Sequence, residues 1–434
     1  MSQRRRSRMP GSFVLAWAGI LLSAWAHQFA IASDTPTGAE IRVGIQEGDL
    51  RGTDNRALQA AVDYVAGLGG GTVYIGPGRY SMRNALTLHD NIHIVGVPGQ
   101  TILAACDGFS SGLAADGDCN QREITVVDPS GFRVGDGISV VDKNASGGFY
   151  VTTATLTAKT GAHSFRISRP LYADYETSKQ ATARLAFPIV GGWQVKHASI
   201  KGLVVDGNSS KTEPLDGCRG GGIYLFESED VSIRDCTIRS YNGDGISFQV
   251  SNDIVVESCL TENNASHGLH PGSGSQRPVL KHNRSTGNGR DGLYVCWRVR
   301  NGLFEDNTLV GNQACGVSIG HKDSDNFFRG NQVLNNVRAG ITFRNESEAM
   351  GAHRNRFEKN VILDNGPAQS GVGVAIHGEH HDLIFHDNVI GYSKPHAGSS
   401  TGIQASDSAK GLEAGENEFR NVEAKITVVK TKEK

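Results

Sequence analysis

From Gly222 onward, apolar and polar positions follow a pattern that returns every 23 or 24 residues. A glycine and a branched apolar residue open each period: Gly222-Ile223, Gly245-Ile246, Gly268-Leu269, Gly292-Leu293, Gly316-Val317 and Gly340-Ile341, with looser copies at Gly373-Val374 and Gly402-Ile403. A second apolar run follows, of the type Asp253 to Val256. It recurs as Val231-Ser232-Ile233, Pro278-Val279-Leu280, Gly302-Leu303-Phe304 and Asn326-Phe327-Phe328. Runs this short suit strands rather than helices, and the Asn, Asp and Gly clusters between them are turn formers. A fixed period in the twenties marks a solenoid. Two or three short strands per coil, stacked about 4.8 Å apart, predict an all-β, right-handed parallel β-helix. Ile246, Leu269, Leu293, Val317 and Ile341 are then expected to stack inside it.

Two further columns have the same period: Cys236, Cys259, Asn283, Asn307 and Asn331, and Asn264, Asn288, Asn312 and Asn336. An inward asparagine can pass amide hydrogen bonds from coil to coil, so these residues are read as structural ladders and the two cysteines as core thiols.

The pattern divides the chain. Residues 1–32 read as a signal peptide: Arg4, Arg5, Arg6 and Arg8, an apolar stretch from Phe13 to Ala26, and a small-residue cleavage site at Ala30-Ile31-Ala32. The mature chain is expected to begin near Ser33, secreted or periplasmic, with no stable membrane association. Residues 33–120 read as a cap and first coils. Leu58, Ala61, Val62, Val65 and Leu68 share one face of a helix over 53–68, placed to cover the end of the solenoid. Residues 121–190 lose the period and alternate like antiparallel strands, a β-rich insertion. Residues 191–434 are the main β-helix, with a last strand near Phe419–Val429.

Charge and cysteine content narrow the chemistry. Removing the first 32 residues leaves 39 Lys and Arg against 45 Asp and Glu. That acidic balance argues against a nucleic-acid partner, and a monomer is expected. Cys106 and Cys119 lie in one loop and are candidates for pairing in an oxidising compartment. No zinc-like spacing occurs and no cofactor is expected. Calcium at Asp107, Asp116 and Asp118, or a metal at His377, His380 and His381, is the weaker alternative to solvated side chains.

The stretches Asp54 to Ala61 and Gly69 to Tyr80 resemble the cap and first coil of the pectate-lyase-like right-handed β-helix superfamily. Residues 267–348 are similar to the repeat module of mannuronan C5-epimerases and related lyases. The resemblance implies a carbohydrate-acting protein. The catalytic signatures differ, however. Where the epimerases carry Asp-Pro-His-Asp, this chain has Leu269-His270-Pro271-Gly272, and Gly320-His321-Lys322 replaces the Gly-His-Gly of polygalacturonases.

Strand alternation then selects an outward face. One column runs Tyr224, Ser247, His270, Tyr294, Ser318, Thr342. The next runs Phe226, Gln249, Gly272, Cys296, Gly320, Arg344, with Trp297, Arg298, Lys322, Asp323, Asp325 and Glu346 near the strand ends. His270, His321, Lys322, Arg344, Asp323 and Glu346 are the expected catalytic residues. Gln249, Trp297, Arg298, Tyr294 and Asp325 are the expected substrate-binding residues, all on one open groove. Cations beside an indole suit an acidic polysaccharide, and a histidine suits removal of a C5 proton. Lyase or C5-epimerase chemistry on a uronic-acid polymer is the leading reading. A glycoside hydrolase using Asp323 and Glu346, or a non-catalytic carbohydrate-binding protein, is the alternative. Asp244 and Asp291, which precede repeat glycines, are read as turn residues.

Overall fold

A computed structural model describes residues 38–143, 148–367, 370–395 and 398–430. The signal-peptide reading of 1–32 and the start at Ser33 lie outside them. Each coil contributes three short strands, and every coil adds one strand in parallel to each of three sheets. Sheet A runs from Leu50–Arg51 to Ile384–His386, sheet B from Gly78–Met82 to Glu418–Arg420, and sheet C from Leu86–Thr87 to Ala424–Val429. The protein is therefore an all-β parallel β-helix. The glycine-opened strands form sheet C and the second apolar runs form sheet A. Sheet B, with Ile238, Thr261, Ser285, Leu309 and Val333 in one inward column, is the strand whose pattern the apolar runs did not reveal.

Ile246, Leu269, Leu293, Val317 and Ile341 sit in register in sheet C and are all buried. A ring stack of Phe304, Phe328, Phe357 and Phe385 fills sheet A's inner side, with centroids 4.4–4.7 Å apart. The asparagine ladders form as expected. Asn283 Nδ2 donates to Asn307 Oδ1 at 2.9 Å and Asn288 Nδ2 to Asn312 Oδ1 at 3.0 Å, while the backbone N–H of each donates to the same acceptor. Buried turn groups are satisfied this way, which a turn without water requires. Cys259 continues the first ladder, its N–H donating to Asn283 Oδ1.

The helix spans Asn55–Gly67, with Asp54 as its N-cap. Leu58, Ala61, Val62 and Val65 are buried against the first strands of sheets A and C. Leu68 is not part of that face: it follows the helix end and is 59% exposed. The insertion is a six-stranded antiparallel sheet whose strands run from Ser110–Gly112 to Thr182–Arg184, so it begins earlier than its pattern suggested. The coils close directly across it, since Leu86 pairs with Val190 in sheet C and Ile94 with Ile200 in sheet A. The tail forms two strands rather than one, Glu418–Arg420 in sheet B and Ala424–Val429 in sheet C.

Neither the disulfide candidate nor the two weaker metal alternatives assembles in the described residues. Cys106 and Cys119 are both free thiols. Asp107 pairs with Asn208 and Lys211, Asp116 with Thr177 and Asp118 with Gln121, so the three acids do not converge. His380 is buried with both ring nitrogens engaged by backbone groups of Ala352, Arg344 and His377, and His381 pairs with Asp382. Among the described residues, the one His/Asp/Glu group with ligand-like spacing is the exposed set His386, Asp387 and Glu416.

Candidate active site on the outer face of sheet C

The outward column of sheet C is in register as expected, but it is not an open groove. Ser247, Gln249 and His270 are 0, 1 and 4% exposed. The chain between Asp206 and Gly222 crosses the face as a strap. Ser247 Oγ donates to Gly217 O at 2.6 Å, and Tyr224 Oη donates to Cys218 O at 2.8 Å. The strap is tied to the insertion. Leu215 packs with Val141, Val151 and Ala186, and the Arg219 guanidinium donates to Phe149 O and lies over the Tyr172 ring. At the centre, Gly217 has no room for a side chain: a Cβ there would collide with the Asp244 carboxylate and lie 2.8 Å from His270 Nδ1.

Beneath the strap lies a cluster of buried ionisable groups. His270 Nδ1 and Asp244 Oδ2 are 2.7 Å apart, and His267 Nδ1 and Asp291 Oδ2 are 3.2 Å apart. Burial works against ionisation of Asp244. The charge of His267 and the His270 hydrogen bond outweigh it, holding the carboxyl far below the usual range. Asp291 is likewise lowered, by His267 against its own burial. Asp244 Oδ2 thus engages His270 Nδ1, and the polar contact of His270 Nε2 is Gln249 Nε2, at 3.4 Å. The Tyr294 ring stacks on His267 at 4.1 Å and meets His270 edge-on at 5.0 Å. Burial keeps the Tyr294 hydroxyl protonated well above its ordinary range.

Arg344 reaches back two coils to lie 4.7 Å over the Tyr294 ring. It donates to Val295 O and Ser318 Oγ and pairs with Asp323 at 3.2 Å. Gln249 Oε1 and Arg344 Nε are buried without a hydrogen-bond partner, and both atoms border this cluster.

The remaining expected residues divide by role. Asp323 is fully buried. Its oxygens accept from the N–H groups of Val299 and Gly320 and from Arg344, and burial pushes its carboxyl up to about 7 against those contacts. It braces the coil and is not free to reach a sugar. His321 Nε2 meets Glu346 Oε1 at 2.8 Å, and Nδ1 meets Cys296 Sγ at 3.1 Å. Burial and the Arg344 charge push this imidazole down to about 4. Burial raises the Cys296 thiol to about 12. A neutral His321 thus donates to Glu346 and accepts from the thiol, so neither nitrogen is left over. Trp297 packs against His321 and Phe149. Arg298 and Lys322 stand at the rim with no ion pair among the described residues. Asp325 leaves the cluster, held by Arg354 in a two-pronged pair.

His267 and Gly217 were not singled out from sequence, and Asp244 and Asp291 were read as turn residues. The signal existed. The residue immediately before each repeat glycine forms its own column, Gly221, Asp244, His267, Asp291, Cys315, Ala339, and it places a histidine between two aspartates. Gly217 had no such signal, because the strap lies outside the period.

Residues 191–350 match the family model described as a right handed beta helix region. The chain is a right-handed parallel β-helix protein. Over 69 residues it is 42% identical to the mannuronan C5-epimerase AlgE6 of Azotobacter vinelandii, covering 14% of this chain and 8% of that protein. Over 147 residues it is 26% identical to a mannuronan C5-epimerase of Pseudomonas putida, covering 33% of this chain and 27% of the other. The matched segments thus span well under two thirds of these curated relatives. Among solved structures, the A-module of the mannuronan C-5 epimerase AlgE4 of Azotobacter vinelandii superposes with a TM-score of 0.53. The identity is 15%, over 90% of this chain and 100% of that one, a likeness of fold. No helix among the described residues of this β-helix protein is long and apolar enough to cross a membrane.

Proposed function

We propose that this β-helix protein is an exported polysaccharide-modifying enzyme that removes the C5 proton of a uronic-acid residue, as a C5-epimerase or a lyase. The observation that carries the reading is the His270–Asp244 pair at 2.7 Å, with Tyr294 and Arg344 beside it. Asp244 orients the ring and stabilises the imidazolium that forms when Nε2 accepts the proton. The substrate carboxylate must be neutralised for that proton to leave, and the unpaired Arg298 and Lys322 are the cations available for it. A protonated Tyr294 hydroxyl then has two uses. Returning a proton to C5 after the sugar has turned its other face to this side gives the epimer. Donating to the C4 oxygen as the C4–O bond breaks gives the unsaturated lyase product. The sequence similarity to mannuronan C5-epimerases supports the same substrate class.

Hydrolysis by Asp323 and Glu346 is less well supported. Asp323 is enclosed by two backbone N–H groups and Arg344, and Glu346 is engaged by His321. The test is incubation with mannuronan, guluronan and polygalacturonan in deuterated water. Deuterium at C5 without chain cleavage reports epimerisation, and ultraviolet absorbance of a new double bond reports elimination. New reducing ends without either, or no change in any polymer, would overturn the reading.

A further inference from the structure

The insertion does not lie flush on the outer face of the first coils. It leaves a cleft of about 280 Å³ whose walls include Thr87, Ile138, Thr153, Phe187 and Trp193, with Arg169 at its edge. No Asp or Glu lines it. The Arg169 guanidinium stacks on the Trp193 ring with its Cζ 4.4 Å from the centroid, and it has no ion pair or protein hydrogen bond among the described residues. The side chain as a whole is exposed, but the charged head is crowded on its Trp193 side. Three surface arginines of the coils pair one coil away, Arg277 with Asp253, Arg329 with Glu305 and Arg354 with Asp325, while Arg298 lies over the Trp297 ring without an acid. A cation held on an indole, facing a cleft with no acid, lacks the counter-charge the three paired arginines have. The Thr87 and Thr153 hydroxyls also make no protein hydrogen bond among the described residues, so they remain available to a ligand.

We infer that this cleft is a binding subsite for a carboxylated sugar residue, with Arg169 taking the carboxylate and the apolar wall taking the ring face. The inference rests on the uronic-acid reading above and extends it. Trp193, Phe226, Gln249 and Gly272 are successive register partners in sheet C, so the cleft lies three strand spacings, about 14 Å, from the His270 coil on the same face. The strap lies between. A single oligomer that occupies both places must therefore cross the strap, and short oligomers cannot reach both.

The test is calorimetric titration of the full chain with oligouronates of increasing length, for the wild type, Arg169→Met and Arg169→Lys. Methionine keeps an apolar side chain against Trp193 and removes the charge with its N–H donors, and the position is exposed, so folding is not at stake. Removing a hydrogen bond to a charged group predicts that Arg169→Met binds long oligomers about tenfold or more weakly, with disaccharide turnover unchanged. Arg169→Lys should recover part of the loss. Equal affinity of wild type and Arg169→Met for long oligomers overturns the subsite and leaves the proposed reaction standing. Failure of the wild type to bind any oligouronate overturns both. An equal loss for disaccharide and long oligomer places Arg169 in the primary site and overturns the separate cleft.

Discussion

The asparagine ladders and the outer face of sheet C are both built from buried polar groups, yet they obey different geometry. In the ladders, partners are successive members of one column, 24 residues apart where the period is regular, and each side chain satisfies the next coil and is satisfied by the last. On the outer face of sheet C, His267 and Asp291 pair within one column, but the other partners belong to different columns. Asp244 meets His270, Arg344 meets Asp323 and reaches two coils back to Tyr294, and His321 lies between Cys296 and Glu346. The ladders close on themselves, whereas the cluster ends in orphaned atoms at Gln249 and Arg344. Periodic polar groups hold the solenoid together. Aperiodic ones are where it has spent stability on something else.

Removing the base should separate the two regions most sharply. His270→Ala should lower turnover by about 100- to 10,000-fold, and Asp244→Asn should follow most of the way, with circular dichroism unchanged for both. Full activity in either variant would put the chemistry elsewhere. The strap is the next point of attack. Gly217→Ala forces a methyl group into the Asp244–His270 pair, and displacing a catalytic group by about 1 Å costs about 100-fold in rate. Rate should fall far more than the melting temperature, and a silent substitution would mean that the strap's position is not coupled to the pair.

The ladder should show the reverse. Asn312→Ala orphans the backbone N–H of Asn288 and leaves its Nδ2 only Thr261 O and Ser285 Oγ. At about 1–3 kcal/mol for a buried orphan, urea unfolding should show a loss in that range, with the activity of the folded fraction unchanged.

His321 allows a pH test. Its folded-state pKa of about 4 lies below the ordinary 6.5, so the unfolded chain takes the proton first, and stability should fall as pH drops from about 6.5 to about 4. Each pKa unit is worth about 1.4 kcal/mol, so the loss should reach roughly 2–3 kcal/mol, and His321→Gln should flatten it. A loss of the same size in that variant would assign the effect to other groups. The smallest effect belongs to the rim. Arg298→Ala and Lys322→Ala should each raise KM about three- to tenfold and move stability by no more than about 0.5 kcal/mol. A lower kcat at unchanged KM would instead mean that these cations act only in the transition state.

The β-helix, its inward columns and its ladders were legible in the chain because a solenoid converts spacing into stacking: Leu269 follows Ile246 in space for the same reason that Gly268 follows Gly245 in sequence. The helix was legible through its 3.6-residue face, apart from Leu68, which lies past the last turn. The outer column was legible too, and with it the register of His270 and Tyr294. Their burial was not, nor were the partners that give them their roles. Those partners come from a neighbouring column that turn chemistry seemed to account for, and from a strap and an insertion with no period. Short-range repetition sets which residues stack, because each coil packs only on the next. Which polar groups are enclosed, and which acid faces which histidine, depends on where aperiodic segments such as Gly217 and Phe149 come to rest, and only the folded chain decides that.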